Sequence, residues 1–307
     1  MKAMILAAGL GTRLRPLTDT RPKALVELNN RTLLEITTTR LKSFGVTEAI
    51  INVHHFADMV IDYLKSKNNF GMRLEISRED DQLLDTGGGL KKAAWFFQEN
   101  VAQGEVATAL RPSPNSDPEP FFLHNVDVIS NIDLNAMLQY HKDHDALATL
   151  AVQSRPSSRQ LLFNSNLQLC GRRIGEKNTV ISSSTHAVIL SEAKNPGTIS
   201  TQRTTDETAQ AKAHSPLATR HSPLLPPENS SALLPLAFSG IHVLSPRLLP
   251  MLTETGAFSI IDSYLRLSSQ SEKILAFRHD NSYWRDLGKP ADLAQATQDL
   301  QSIVLTS

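Results

Sequence analysis

The chain of 307 residues has one cysteine, Cys170, so no intramolecular disulfide can form and no zinc cluster has a thiolate set. Its surroundings, Leu167, Leu169 and Ile174, suit a small buried hydrophobe rather than a nucleophile. Neither sign of charge is in excess: 31 Lys and Arg balance 31 Asp and Glu, which excludes a bulk basic field for nucleic acid or an anionic membrane surface. Any phosphate must then be held by a local site. No apolar run in the sequence approaches the roughly 20 residues of a membrane helix, so no membrane partner is expected. The opening MKAMILAAGL is a short apolar run that leads into Gly11, Arg13 and Arg15 without a convincing cleavage site. A first buried strand is expected there, in a cytoplasmic protein.

What is present is an ordinary globular composition, 40% hydrophobic and 20% charged, in a chain long enough for a sizeable core. Residues 3–8 form a compact apolar run ending in glycines, as a buried parallel strand should. Leu33, Leu34, Ile36, Leu41 and Phe44 fall near helical spacing, with Gly45 as the stop. Strands over 49–53, 72–77, 121–124 and 146–152 alternate with helices around 60–64, 89–98 and 134–141. This rhythm predicts an α/β fold with a mostly parallel central sheet and helices on both faces. Residues 161–164 and 167–170 flank Ser165 and Asn166 as a hairpin. From 176 to 235 the chain is rich in Ser, Thr, Pro, Ala, Asn and Gln, with a near repeat at His214 and His221. So little apolar surface cannot offset the entropy of ordering, which predicts a disordered insertion within one domain spanning 1–303. Within it, 187–190 would form a brief strand. Beyond it come a strand over 236–244 broken at Gly240, helical stretches at 246–252 and 260–267, a strand at 274–277 and a final helix over 291–303.

Ligands on such sheets bind beyond the carboxyl ends of the strands, so the loops after Ala8, Ser77 and His124 come first. The first strand runs into LAAGLGTRLRPLT, Leu6 to Thr18, where glycines let backbone N–H groups approach phosphate oxygens. Arg13 adds a forked donor, and Lys23, after Pro22, a compact charge able to reach the same phosphates. Leu14 stands where a dinucleotide fingerprint has its third glycine, and no Gly-Lys-Ser/Thr ending makes a P-loop. A second block, EDDQLLDTGGGL from Glu79 to Leu90, joins the third strand to a helix. In a third, FFLHNVDV from Phe121 to Val128, Asp127 ends a buried strand. An unpaired carboxylate there is costly unless it holds a hard cation, and Mg²⁺ favours one or two carboxylates completed by phosphates and water. His54, His55, His141 and His144 lack convergent partners at metal spacing and are expected at the surface or at strand ends.

Taken together, Leu6 to Thr18 with Lys23 closely resembles the signature of the sugar-1-phosphate nucleotidyltransferases. The Thr-Gly-Gly-Gly block looks most like the N-acetylmuramate-1-phosphate uridylyltransferase branch, with mannose-1-phosphate guanylyltransferases the nearest alternative. The resemblance implies a Rossmann-like (GT-A type) fold, an NTP and a sugar 1-phosphate as substrates, and Mg²⁺ as cofactor. By it, Arg13, Lys23 and Asp127 are catalytic, and Leu6, Ala8, Gly9, Gly11, Thr12, Arg13, Lys23, Glu79, Gly88 and Asn125 bind the nucleotide. Glu79 would recognise the base, and Gly88 would allow close backbone packing. Trp284-Arg-Asp-Leu-Gly288 resembles the family segment whose Asp also reaches the metal, pairing Asp286 with Asp127, and Ser239-Gly240-Ile241 matches one lining the sugar pocket, with Gly240 against the sugar. One departure is Val126, where the family has glycine. A catalytically silent sugar-nucleotide-binding regulator is the rival of another class, and a nicotinamide oxidoreductase is disfavoured by Leu14. The sequence is silent on oligomeric state.

Overall fold

A computed structural model describes residues 1–102, 119–175, 177–180, 188–190 and 233–300. The first apolar run forms β1 (Lys2–Leu6), whose Ala3, Met4 and Ile5 are fully buried. A two-strand ribbon, β2 (Glu27–Leu28) and β3 (Arg31–Thr32), leads into α1 (Leu33–Ser43). Thr32 caps that helix: its hydroxyl accepts from the Glu35 N–H, satisfying one of the orphan donors of the first turn. There follow β4 (Glu48–Val53), α2 (Ala57–Ser66) and β5 (Arg73–Arg78), then α3 (Asp85–Lys92) and α4 (Ala94–Ala102). Next come β6 (Phe121–Asn125), β7 (Val128–Ser130), α5 (Leu134–Asp143) and β8 (Ala148–Gln153). The expected hairpin is β9 (Arg159–Phe163) with β10 (Leu169–Ile174), extended by β11 (Lys177–Val180) and β12 (Val188–Leu190). The chain continues through β13 (Leu234–Leu244), α6 (Ile260–Ser269), β14 (Ile274–Arg278), β15 (Trp284–Asp286) and α7 (Pro290–Asp299).

The main sheet runs in the order β12-β11-β10-β9-β13-β6-β1-β4-β5, with β8 paired to β13 and carrying β14. Its centre, β6-β1-β4-β5, is parallel, as the βα rhythm predicts. Beyond β6 the described pairings are antiparallel except that of β14 with β8. A tight turn such as 164–168 can join only antiparallel neighbours, whereas β1 reaches β4 through α1 and β4 reaches β5 through α2. Alternation in β1 splits the core: Ala3 and Ile5 pack on one face with Leu34 and Ile51, and Met4 on the other with Ile50, Phe96 and Tyr264.

Several local expectations change on tertiary grounds. The helix expected over 89–98 is two helices beginning at Asp85, with Gly87, Gly88 and Gly89 inside the first. A Cβ on Gly87 would lie 2.3 Å from the Phe258 ring, and both Gly87 and Gly88 N–H groups donate to the Phe258 carbonyl, at 2.9 and 3.3 Å. Packing therefore outweighs the poor helix propensity of glycine. The 246–252 stretch is a 3-10 turn containing Pro250. Of the 176–235 insertion, only 177–180, 188–190 and 233–235 are described; the rest, like 301–303 of the final helix, lies outside the described residues. Among the described residues no helix is long and apolar enough to cross a membrane.

His141 is not at the surface: it is 1% exposed, with Nδ1 3.0 Å from the Thr149 hydroxyl and Nε2 3.2 Å from that of Ser245. His124 and His242, on the adjacent strands β6 and β13, are buried too, with Tyr264 Oη 3.0 Å from His242 Nδ1. Burial holds both imidazoles near pKa 3, aided at His124 by the Arg40 charge and at His242 by His124 itself. They stay neutral in the fold while the unfolded chain takes up protons near pH 6.5, so stability is complete above that pH and falls below it. At pH 5 the loss is about 2 kcal/mol for each ring, before ordinary carboxylates begin to protonate. Thermal melting should show a clear drop between pH 7 and pH 5; an unchanged midpoint would contradict the neutral buried pair.

Candidate active site

The parallel register sets Leu6 beside both Asn52 and Asn125, so three strand ends open into one cavity of about 340 Å³. Its wall includes Ala8, Gly9, Lys23, Asn52, Asn125 and Asp127. Asn52, which the sequence reading missed, accepts from the Ala7 N–H at 2.7 Å and donates from Nδ2 to Glu79 Oε1 at 2.7 Å. Glu79 Oε2 accepts from the Leu84 N–H at 2.9 Å. At 1% exposure Glu79 stands behind the cavity wall, holding Asn52 in place rather than facing a base. Gly88 likewise packs on protein: a Cβ there would lie 2.5 Å from the Gly256 carbonyl oxygen.

The glycine turn folds back on itself. Gly11 has φ +64°, and a Cβ there would lie 2.9 Å from Thr18 Cγ2 and 3.2 Å from Lys23 Cβ. The Gly11 carbonyl accepts from both the Leu14 N–H and the Thr18 hydroxyl, at 2.8 Å each. Leu14, in the place of a third glycine, is a fully buried anchor of the short turn Thr12–Leu14. Gly11 and Thr12 lie outside both cavity walls, while Arg13 reaches a second, larger cavity.

Lys23 opens the 3-10 turn Lys23–Leu25 behind extended Pro22, with Ala24 and Leu25 fixed in the core. Only 8% exposed, it donates from Nζ to Asp127 Oδ2 in a close ion pair. Asp127 sits between β6 and β7, and β15 pairs antiparallel with β7, placing Asp286 opposite Val128. The Leu287 N–H donates to the Asp127 carbonyl at 2.8 Å, tying the two segments together. Burial, then the Asp127 charge, raises the Asp286 pKa, opposed by Lys23 and Arg13. Among the described residues, Asp286 Oδ1 is buried without a hydrogen-bond partner. An orphaned carboxylate oxygen beside a second carboxylate fits a hard divalent cation, which would remove the desolvation cost. No larger His, Cys, Asp or Glu cluster suited to a metal occurs among the described residues. Val126 needs no glycine conformation: its φ is not in the left-handed region, its N–H donates to the Leu6 carbonyl at 3.1 Å, and its side chain is buried.

The larger cavity, about 960 Å³, shares Asp85, Thr86 and Asn125 with the first and adds Arg13, Arg155, Gly240, Trp284 and Asp286. Gly240 sits at the irregularity of β13 with φ +75°, and a Cβ there would lie 2.9 Å from Asn125 Nδ2. Gly288 is as confined, its Cβ position being 2.6 Å from Arg13 Nη2 and 2.7 Å from Asp286 Oδ1. Beyond Asn52, sequence reasoning also missed Thr86, Arg155 and the Trp284 ring.

A glycine turn, one buried lysine and two carboxylates at the ends of a Rossmann-like sheet define a nucleotide- and phosphate-handling class of protein. The model of the nucleotidyl transferase family matches residues 2–161, just over half the chain, and the protein belongs to that family. It is 50% identical over 93 residues to the N-acetylmuramate alpha-1-phosphate uridylyltransferase of Caulobacter vibrioides, covering 30% of this chain and 38% of that one. With the probable mannose-1-phosphate guanylyltransferase 1 of Oryza sativa subsp. japonica it shares 34% over 153 residues, half of this chain and 38% of that one. The matched segments thus span well under half of these relatives' own length. In fold it is similar to HddC of Yersinia pseudotuberculosis (TM-score 0.61, 18% identity, 97% and 99% of the two chains). A UDP-glucose pyrophosphorylase solved with UDP-glucose is equally similar (TM-score 0.61, 16% identity, 98% of each chain).

Replacing Glu79 by Ala strands the Asn52 and Leu84 donors in the interior, at on the order of 1–3 kcal/mol of stability. Denaturant unfolding should register that loss, while the ranking of UTP, GTP, dTTP and CTP by affinity stays as in the wild type. A changed ranking with intact stability would restore Glu79 to base recognition.

Proposed function

We propose that the chain transfers a nucleotidyl group from an NTP to a sugar 1-phosphate, giving an NDP-sugar and pyrophosphate. The favoured pair is UTP with an N-acetylated amino-sugar 1-phosphate such as N-acetylmuramate 1-phosphate. The observation that carries the reading is the meeting of Lys23, Asp127 and Asp286 where the glycine-turn cavity joins the larger one. The choice of base and sugar is supported by the 50% identity to the Caulobacter uridylyltransferase. A mannose-1-phosphate guanylyltransferase is the second reading, favoured by the longer 153-residue similarity. Use of an NTP fits a cytoplasmic location, with neither nucleic acid nor membrane as partner.

A phosphate oxygen of the acceptor attacks the α-phosphorus of the NTP, and the bond from that phosphorus to the β-phosphate oxygen breaks as pyrophosphate leaves. The attacking phosphate is already ionised at neutral pH, so no general base is required. Two polyanions must meet, and the protein's work is alignment and charge neutralisation. Asp127 and Asp286 would hold Mg²⁺, whose charge offsets that of the phosphate oxygens. Lys23 stabilises the charge developing at the α-phosphate, and Arg13 holds the leaving pyrophosphate. Leu6, Ala8 and Gly9 leave the wall narrow enough for backbone N–H groups to approach the nucleotide.

Pyrophosphate release measured for four NTPs against a panel of sugar 1-phosphates tests this, with UTP and N-acetylmuramate 1-phosphate expected to turn over fastest. Lys23→Ala and Asp127→Asn should each lower kcat by about 10²–10³. Near-normal turnover in both at saturating metal, or no release with any pair, would refute the assignment.

A further inference from the structure

Arg155 follows β8 in a loop fixed from two sides. The Ser154 N–H donates to Asp280 Oδ1 at 2.7 Å, and the Arg155 Nη2 donates to the Phe238 carbonyl of β13 at 2.8 Å. Its guanidinium carbon lies 3.8 Å from the centroid of the Trp284 ring. The indole is itself anchored, with Nε1 donating to the Ser239 carbonyl at 2.7 Å. A planar cation on an aromatic face keeps its N–H edge in one orientation, at low entropic cost for whatever it binds. Yet Arg155 Nε is buried without a partner, and among the described residues the side chain makes no ion pair. Arg172, on the same cavity, is by contrast committed to Asp262 at 2.5 Å. Burial disfavours the charged form of Arg155, and only the pull of Asp286 opposes it. A half-buried guanidinium with spare donors is the complement of an oxyanion, and the cavity it lines also holds Asp286, Gly240 and Arg13.

We propose that Arg155, stacked on Trp284, is the anchor for an oxyanion of the sugar-phosphate acceptor. This rests on the transferase reading. The oxyanion belongs either to the 1-phosphate or to an acidic substituent on the sugar, and the same donors serve both. Arg155 thereby acts on acceptor binding, whereas Lys23 and the two carboxylates act on the transferred phosphate.

The test compares wild type with Arg155→Gln and Arg155→Lys on N-acetylglucosamine 1-phosphate and N-acetylmuramate 1-phosphate, which differ by a carboxylate-bearing group. In Arg155→Gln the acceptor KM should rise about 10–100-fold, with the NTP KM and kcat moved by no more than a few-fold. Arg155→Lys, which keeps charge without the fork, should fall between. An equal rise for both acceptors assigns the contact to the 1-phosphate, and a rise for the muramate alone assigns it to the carboxylate. Acceptor KM values within twofold of wild type for both would overturn the proposal, as would an equal rise in the NTP KM. A second readout does not need turnover: with Trp95→Phe leaving Trp284 as the sole indole, inorganic phosphate or either acceptor should quench its fluorescence, and Arg155→Gln should abolish the response. Quenching without turnover on any pair would sink the transferase reading but keep the oxyanion site. Turnover with no quenching and unchanged acceptor KM would do the reverse.

Discussion

Asp127 and Asp286 come from opposite halves of the chain, and the pairing of β15 with β7 presses them into one partly buried corner. Charges in such a place lose hydration and, being alike, repel, which is why the Asp286 pKa is raised. Lys23 answers one carboxylate directly, while an oxygen of the other is left without a partner. The rest of the site is arranged around that imbalance. The glycine turn closes over Lys23 through Gly11 and Thr18, and Gly288 allows Arg13 and Asp286 to approach where any side chain would separate them. Under the proposed function, this carboxylate pair flanked by Lys23 and Arg13 is where a divalent cation and phosphate oxygens would meet.

The match to the family model ends at residue 161, but the structure does not divide there. β13 inserts between β6 and β9 of the matched region, and β15, from beyond it, supplies the second carboxylate. The larger cavity draws Arg13 and Asn125 from one side of that boundary and Gly240, Trp284 and Asp286 from the other. The two cavities share Asn125, whose amide nitrogen also borders the space above Gly240, so β13 abuts the wall common to both.

Features written in short stretches of sequence were legible. The apolar run of β1, the glycine turn, Lys23 behind Pro22 and Asp127 at a strand end each follow from local spacing, and of the turn segment Leu6, Ala7, Ala8, Gly9 and Arg13 reach a cavity wall. Glu79 lies behind the wall because its partners, Asn52 and the Leu84 N–H, are set by tertiary packing, whereas Gly88 makes the close backbone packing expected of it, against the Gly256 carbonyl. The sequence places His141 at the surface or at a strand end because its hydroxyl partners, Thr149 and Ser245, lie on separate elements. Arg155 carried no motif at all, since its meaning lies in the Trp284 ring brought to it across the sheet. The β9–β10 hairpin was legible from its turn, but the antiparallel pairing of β13 with β6, β8 and β9 joins strands far apart in the sequence, which local pattern does not reveal.

The central claim, that Asp127 and Asp286 together hold a divalent ion beside the nucleotide, is open to direct measurement. Mn²⁺ in place of Mg²⁺ can be titrated by electron paramagnetic resonance into the protein loaded with a non-hydrolysable NTP analogue. Asp127→Asn and Asp286→Asn should each weaken Mn²⁺ binding by at least the roughly 10–100-fold that even outer-shell changes cost at metal sites. Undiminished affinity in both variants, with the protein folded and the nucleotide bound, would contradict the account.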